Sequence, residues 1–271
     1  MTKTQENQQQ SQLSGECATA TENVKSAAVK AMIMLAAGAV FGLAFQRARV
    51  HELVSVIEQM TFRRFIMMKM AFAALATATV VFYFVERVFP RVSTRKAFHQ
   101  DMRITWSQVA LGATILGVGM TLSGSCPGTV FAQIGAGSKM AWFTLLGGLA
   151  GALLFSYVEM YIKRPARGRP KEETNIASWF GADPQTFPLM FAGAVFAFVL
   201  LLEILVPWRS DLQGLVNAPT WAIANPPVVS GILIGLLQFP LQVLVSRHLG
   251  SSSSYACAIT NCVPLTHYTY V

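Results

Sequence analysis

Cys126 stands in a stretch whose composition suits chemistry better than packing. Thr121 to Ser138 reads TLSGSCPGTVFAQIGAGS, with glycines at 124, 128, 135 and 137, a Cys-Pro pair, the amide of Gln133 and no charged residue. A thiol can donate its S–H to a soft acceptor, attack as a nucleophile once a base takes its proton, or hold a metal. The metal reading has little to stand on. Cys17, Cys126, Cys257 and Cys262 lack paired zinc spacing, and His51, His99, His248 and His267 do not cluster in sequence. No metal and no cofactor is therefore expected. The nucleophile lacks a partner too, since no Cys/His neighbour pair supplies a base. What remains is a polar contact at a break in the backbone, or a small buried hydrophobe, the commonest fate of a free cysteine.

The break itself is legible. Gly124 and Gly128 bracket Pro127, a residue at home in a first helical turn, and Ser125 or Cys126 can cap that turn. The reading is a loop entering the membrane, a short helix started by Pro127, and a glycine-rich exit through Gly135 and Gly137. Backbone broken at membrane depth survives only where protein buries it or a polar cavity bathes it, so the stretch predicts a pathway. Ser123, Ser125, Thr129 and Gln133 either close the loop or face whatever passes. Gln59 and Gln238 are amides beside apolar runs, suited to lining a path or to bonding between helices.

The rest of the chain supplies elements to position that loop. Of 271 residues, 53% are hydrophobic and only 13% charged, against about a quarter charged in soluble domains. The fold class predicted is all-α: a polytopic membrane protein of about six long transmembrane helices plus short re-entrant helices in pseudo-repeats. The spans fall near 26–46, 65–89, 106–122, 140–162, 187–208 and 228–246. Ile104 to Ser138 holds no Asp, Glu, Lys or Arg over 35 residues, too long for one span, and divides into the third span and the loop-helix. Residues 47–64, with apolar positions near helical spacing, predict a short half-buried or interfacial helix. Gly38/Gly42, Gly147/Gly151 and Gly231/Gly235 predict faces for close helix packing. Lys69, Glu86 and Glu203 sit near span ends, where snorkelling to the interface is favoured over a proton relay. Residues 1–25 form a polar tail with no secretory signal, 26–262 the membrane domain, and 263–271 a short C-terminal tail.

The net charge of +8 reflects topology rather than nucleic-acid binding. With both short-helix segments entering and leaving on one side, 14 of the 21 Lys and Arg share the face of the N-terminus and the basic connectors at 87–103 and 163–171. That places the N-terminus in the cytosol of a multi-pass protein, by default in a plasma or bacterial inner membrane. Arg47, Arg49, Arg63 and Arg64 lie on the other face, as an anion-gathering entrance or a headgroup-facing surface.

Three stretches repeat a pattern of spaced glycines before a turn: GAVFGLAFQRARV, GATILGVGMTLSGSC and GILIGLLQFPLQV. Such units of a long and a short helix are typical of transporters with discontinuous helices. Together with SGSCPGTVFAQIGAGS, the upstream GAVFGLAFQRARVHELVSVIEQMTFRRFIMMKM and the later GLLQFPLQVLVSRHLGSSSSYA, they make residues 35–260 resemble the YeeE/YedE family of sulfur-compound transporters. The resemblance implies a non-enzymatic uptake protein in the bilayer for thiosulfate or a related sulfur anion, with short helices pointing inward and cysteine thiols along a narrow path. Cys126 falls on the family's Cys-Pro position, flanked by Gly124, Ser125, Pro127, Gly128, Thr129 and Gln133. Cys257 lies near where a further pathway cysteine would sit, and Gln238 is a third-unit candidate. The chain ends sooner than is usual in the family, which implies a shortened last unit.

Thiosulfate is a dianion with a soft terminal sulfur, and a path for it needs donors without fixed charges that would trap it. Cys126 would donate S–H as a mostly neutral thiol, because a thiolate repels the solute. Two other readings stand beside transport. One is a membrane thiol relay or sulfurtransferase passing sulfur from Cys126 to a cytosolic carrier protein; the other is an inactive shortened homologue.

Overall fold

A computed structural model of the protein describes residues 28–89, 106–161, 186–212, 225–245 and Tyr255. All the regular structure there is helical. Both tails, the basic connectors beyond Phe89 and Tyr161, and Cys17, Cys257 and Cys262 lie outside the described residues.

Helix α1 spans Ala28–Arg47, α2 Leu53–Met60, α3 Ile66–Val88, α4 Trp106–Ser123, α5 Thr129–Gly135, α6 Lys139–Tyr161, α7 Phe187–Leu205, α8 Trp208–Leu212 and α9 Pro227–Pro240. After Pro240, which cannot donate to the preceding turn, α9 widens into a π turn over Leu241–Val245. Among the described residues four helices are long and apolar enough to cross a membrane: Ala28–Arg47, Ile66–Val88, Phe187–Leu205 and Pro227–Val245. Apolar stretches at Val109–Ser123 and Lys139–Phe155 are shorter. The protein is thus an all-α membrane protein, with a short helix (α2) within 47–64 and a short loop-helix (α5) after Pro127, as the sequence predicts.

The tightest seam joins α9 to α3. A Cβ added at Gly235 would lie 2.5 Å from Thr77 Cβ; one at Gly231 would overlap the Met70 carbonyl oxygen and lie 2.8 Å from Ala73 Cβ. Here the paired glycines do let two backbones meet. Gly38, Gly42, Gly147 and Gly151 do not act this way: no described atom lies within 4 Å of a Cβ built at any of them. On α1 the packed stripe runs one position away. Ala37 meets Leu241 and Val245, while Ala44, Phe45 and Ala48 meet Ile66, Met70 and Ile234. A step of one residue turns a helix by about 100°, enough to carry Gly38 and Gly42 off that face.

Sharp elbows close the helices. At the end of α1, Val50 N–H bonds Phe45 O and Arg49 N–H bonds Gln46 O; at the end of α2, Arg63 N–H bonds Glu58 O and Phe62 N–H bonds Gln59 O. These are Schellman closures, and they put Arg49 (φ 58°) and Phe62 (φ 55°) in the left-handed conformation that glycine usually fills. Gln59 then turns back, its Oε1 accepting Met68 N–H at 2.8 Å in the first turn of α3. That assigns the Gln59 amide to a helix end.

Lys69 and Glu203 do not snorkel. Lys69 is wholly buried, with its ammonium 3.0 Å from Glu203 Oε2 and 3.7 Å from Asp211 Oδ2. A partner on α7 is available to Lys69 inside the fold, so its charge need not reach for water.

Candidate functional site

The loop from Gly124 to Gly128 sits between the end of α4 and the start of α5. Gly124 takes φ 59°, and Leu53 Cγ of α2 would lie 2.6 Å from a Cβ built there. The position therefore needs glycine twice over, for the turn and for the close approach of α2.

From Gly124 onward the polar residues satisfy one another. Ser125 Oγ donates to Gln133 Oε1 at 2.6 Å, and Gln133 Nε2 donates to Gly124 O at 3.3 Å. Ser123 Oγ accepts Ser125 N–H and reaches the carbonyls of Gly119 and Ser125. Ser125, Thr129 and Gln133 are buried. A broken backbone inside a membrane protein is made stable in this way, each freed group finding an internal partner.

Cys126 and Thr129 form a reciprocal pair. Cys126 N–H donates to Thr129 Oγ1 at 2.7 Å, and Thr129 N–H donates to Cys126 Sγ at 3.3 Å. Thr129 Oγ1 also donates to the Cys126 carbonyl at 3.1 Å, which accepts Val130 N–H at 3.2 Å as the first helical bond. Thr129 N–H is shared with the Cys126 carbonyl at 3.0 Å, so the pair closes the turn ahead of the helix, whose N-cap is Gly128. Regular helix begins at Thr129 after Gly128, so Pro127 lies in the turn that leads into it. At the far end Ser138 N–H bonds Gln133 O and Gly137 N–H bonds Ile134 O, with Gly137 at φ 84°. The glycine-rich exit is a Schellman closure that needs a left-handed residue.

Cys126, Pro127 and Gly128 form part of the wall of a cavity of about 330 Å³ between α1, α3, α4 and α9. Phe41 and Phe45 of α1, Met67 and Met70 of α3, and Met120 of α4 face it, and among the described residues none that lines it is charged. Cys126 is a free, half-buried thiol. The sulfur accepts from the backbone, which leaves S–H as the group it can offer. Gln238 lies half-buried on α9 and is not among the residues lining this cavity.

Tyr255 is a neighbour that sequence reading missed. It is buried, its ring centroid 5.6 Å from that of Phe131 on α5 and close against Gly148 on α6. The SSSSYA run offered a hint by following the third glycine-spaced unit, but nothing there said which face the tyrosine would join. Among the described residues no three His, Cys, Asp or Glu gather as a metal site.

Beside α2, Arg49 pairs with Glu52 at 2.9 Å and Arg64 with Glu58. Burial holds the His51 imidazole below its usual range, and its Nδ1 is buried without a hydrogen bond.

No curated protein and no solved structure matches the chain. A family described as sulphur transport does match, over residues 47–270, which takes in both the interfacial elbow and the Cys126 loop. The protein therefore belongs to the YeeE/YedE sulfur-transport family.

Proposed function

We propose that this protein carries thiosulfate or a related small sulfur-containing anion across the membrane, with the Cys126 thiol touching the solute's sulfur in passing. The observation that supports this most is the place of Cys126. It lies in the turn that leads into an interrupted helix, on the wall of a cavity shared by four helices. An uncharged wall suits passage, because an ion held by a fixed opposite charge would leave slowly. The wall is also soft: the thioethers of Met67, Met70 and Met120 are polarizable, like the solute's terminal sulfur. Gly124, Ser125, Pro127, Gly128, Thr129 and Gln133 hold the thiol in place, and Gln238 and Cys257 are candidates further along the path. The N-terminus and basic connectors lie in the cytosol of a plasma or bacterial inner membrane on this reading.

Uptake of radiolabelled thiosulfate by proteoliposomes tests it. Cys126→Ala should insert normally and lose most of its flux; wild-type flux in that variant would remove the thiol from the mechanism. Covalent sulfur on Cys126 during turnover, seen by mass spectrometry, would favour a relay to a cytosolic carrier instead.

A further inference from the structure

Where α3 begins and α7 ends, a buried lysine meets one buried and one partly exposed carboxylate. The wholly buried ammonium of Lys69 lies 3.0 Å from Glu203 Oε2 and 3.7 Å from Asp211 Oδ2, and donates to the Val206 carbonyl at the end of α7. Asp211 is buried on α8, and its Oδ2 accepts Phe65 N–H at 3.1 Å. Glu203 uses Oε1 to accept Trp208 N–H at 3.0 Å, whereas its Oε2 is sealed from solvent and accepts no hydrogen bond. From the elbow before α3, Arg64 donates to the Asp211 carbonyl oxygen and pairs with Glu58 of α2. On its other side α3 packs against Pro227–Val245, which contains no ionisable side chain.

The charges do not balance. Among the described residues, Lys69 and Arg64 face Glu58, Glu203 and Asp211, which leaves one carboxylate in excess around a buried ammonium. Charge in such surroundings is relieved by taking up a proton. Burial lifts the Asp211 carboxyl above its usual range, against the Phe65 N–H, Lys69 and Arg64, which favour its ionised form. No residue of the cluster lines the cavity, but α3 carries both. Met67 and Met70, on the same turn of α3 as Lys69, form part of the wall that Cys126 shares. An anion moving toward a negative interior runs against the membrane potential and needs positive charge to accompany it.

We propose that Lys69, Glu203 and Asp211 form a proton-binding site, and that a proton taken up there accompanies the sulfur anion across the membrane. This rests on the transport reading above. In the loaded state one proton is added to a carboxylate oxygen of the Glu203–Asp211 pair. Lys69 keeps its charge, and the proton is released on the far side with the solute.

The full-length protein in proteoliposomes, with the membrane potential clamped, gives the test. Accumulation of labelled thiosulfate is measured against an imposed pH gradient, and exchange of labelled for unlabelled thiosulfate is measured without one. Accumulation is expected to rise by up to about tenfold per pH unit for each proton carried, with alkalinisation of the outer medium reported by a dye. Glu203→Gln and Asp211→Asn should each flatten that response. Exchange with no response to the gradient in the wild type would overturn the proton site and leave transport standing. A response that persists in both amide variants would overturn its assignment to these residues. Absence of exchange in the wild type would overturn the transport reading, and the proton site with it. Should Asp211→Asn fail to insert, Glu203→Gln decides the assignment, since its side chain is partly exposed and keeps its shape.

Discussion

Cys126 and Thr129 each donate a backbone N–H to the other's side chain, at 2.7 Å to oxygen and 3.3 Å to sulfur. The position of the thiol is thus set by the residue three places on, and the helix start and the thiol are a single arrangement. Thr129→Val should remove the acceptor for Cys126 N–H and leave that donor unsatisfied. The expected cost is about 1 kcal/mol, typical of a lost hydrogen bond, with a drop in uptake. Thr129→Ser should restore both. Thermal unfolding in detergent alongside proteoliposome flux reads the two effects; equal behaviour of the Val and Ser variants would refute the pair's role.

Gly124 combines a positive φ with contact to Leu53. Gly124→Ala is expected to destabilise by about 1–3 kcal/mol through backbone strain together with the clash. Adding Leu53→Ala should recover only the part due to the clash. Complete recovery, read from melting temperatures, would mean that φ contributes nothing.

The glycines of α9 and α1 predict opposite results from the same substitution. Gly231→Ala drives a methyl into the Met70 carbonyl and should cost about 1–3 kcal/mol, whereas Gly38→Ala meets nothing within 4 Å and gains helix propensity. Matched melting temperatures for the two would contradict the packing described.

Acidification should loosen the elbow after α1. Burial depresses the His51 imidazole below its ordinary 6.5, so the folded form holds this group neutral while the unfolded form takes up a proton more readily. The stability this neutral form contributes is complete above about pH 6.5 and is lost as pH falls through that value toward the folded one. Asp211, lifted above its usual range by burial, acts in the opposite sense at lower pH. The readout is therefore a difference: between pH 7.5 and 5.5 the wild type should lose more stability than His51→Gln. Parallel pH profiles would rule out this role for His51.

Local chemistry explains what could be read in advance. The loop and α5 were legible because glycine, proline and small polar residues mark turns and caps over a few positions, and the apolar runs marked the long helices. Pairing across distant segments was not. Lys69 and Glu203 look like interfacial charges when each is seen with its neighbours, and only the meeting of α3 with α7 makes them partners. The Gly38/Gly42 spacing was as good a packing signal as Gly231/Gly235, yet rotation about α1 decided which face was used. Tyr255 comes to α5 from a stretch whose composition names no neighbour.

The glycine seam between α3 and α9 has a mechanical consequence. With Gly231 and Gly235 lying almost on the main chain of α3, neither helix can slide along the other without collision. One side of the chamber beside Cys126 is thereby a fixed jamb. The opposite side is α4, which presents most of its described surface outward and turns into the Cys126 loop at Gly124.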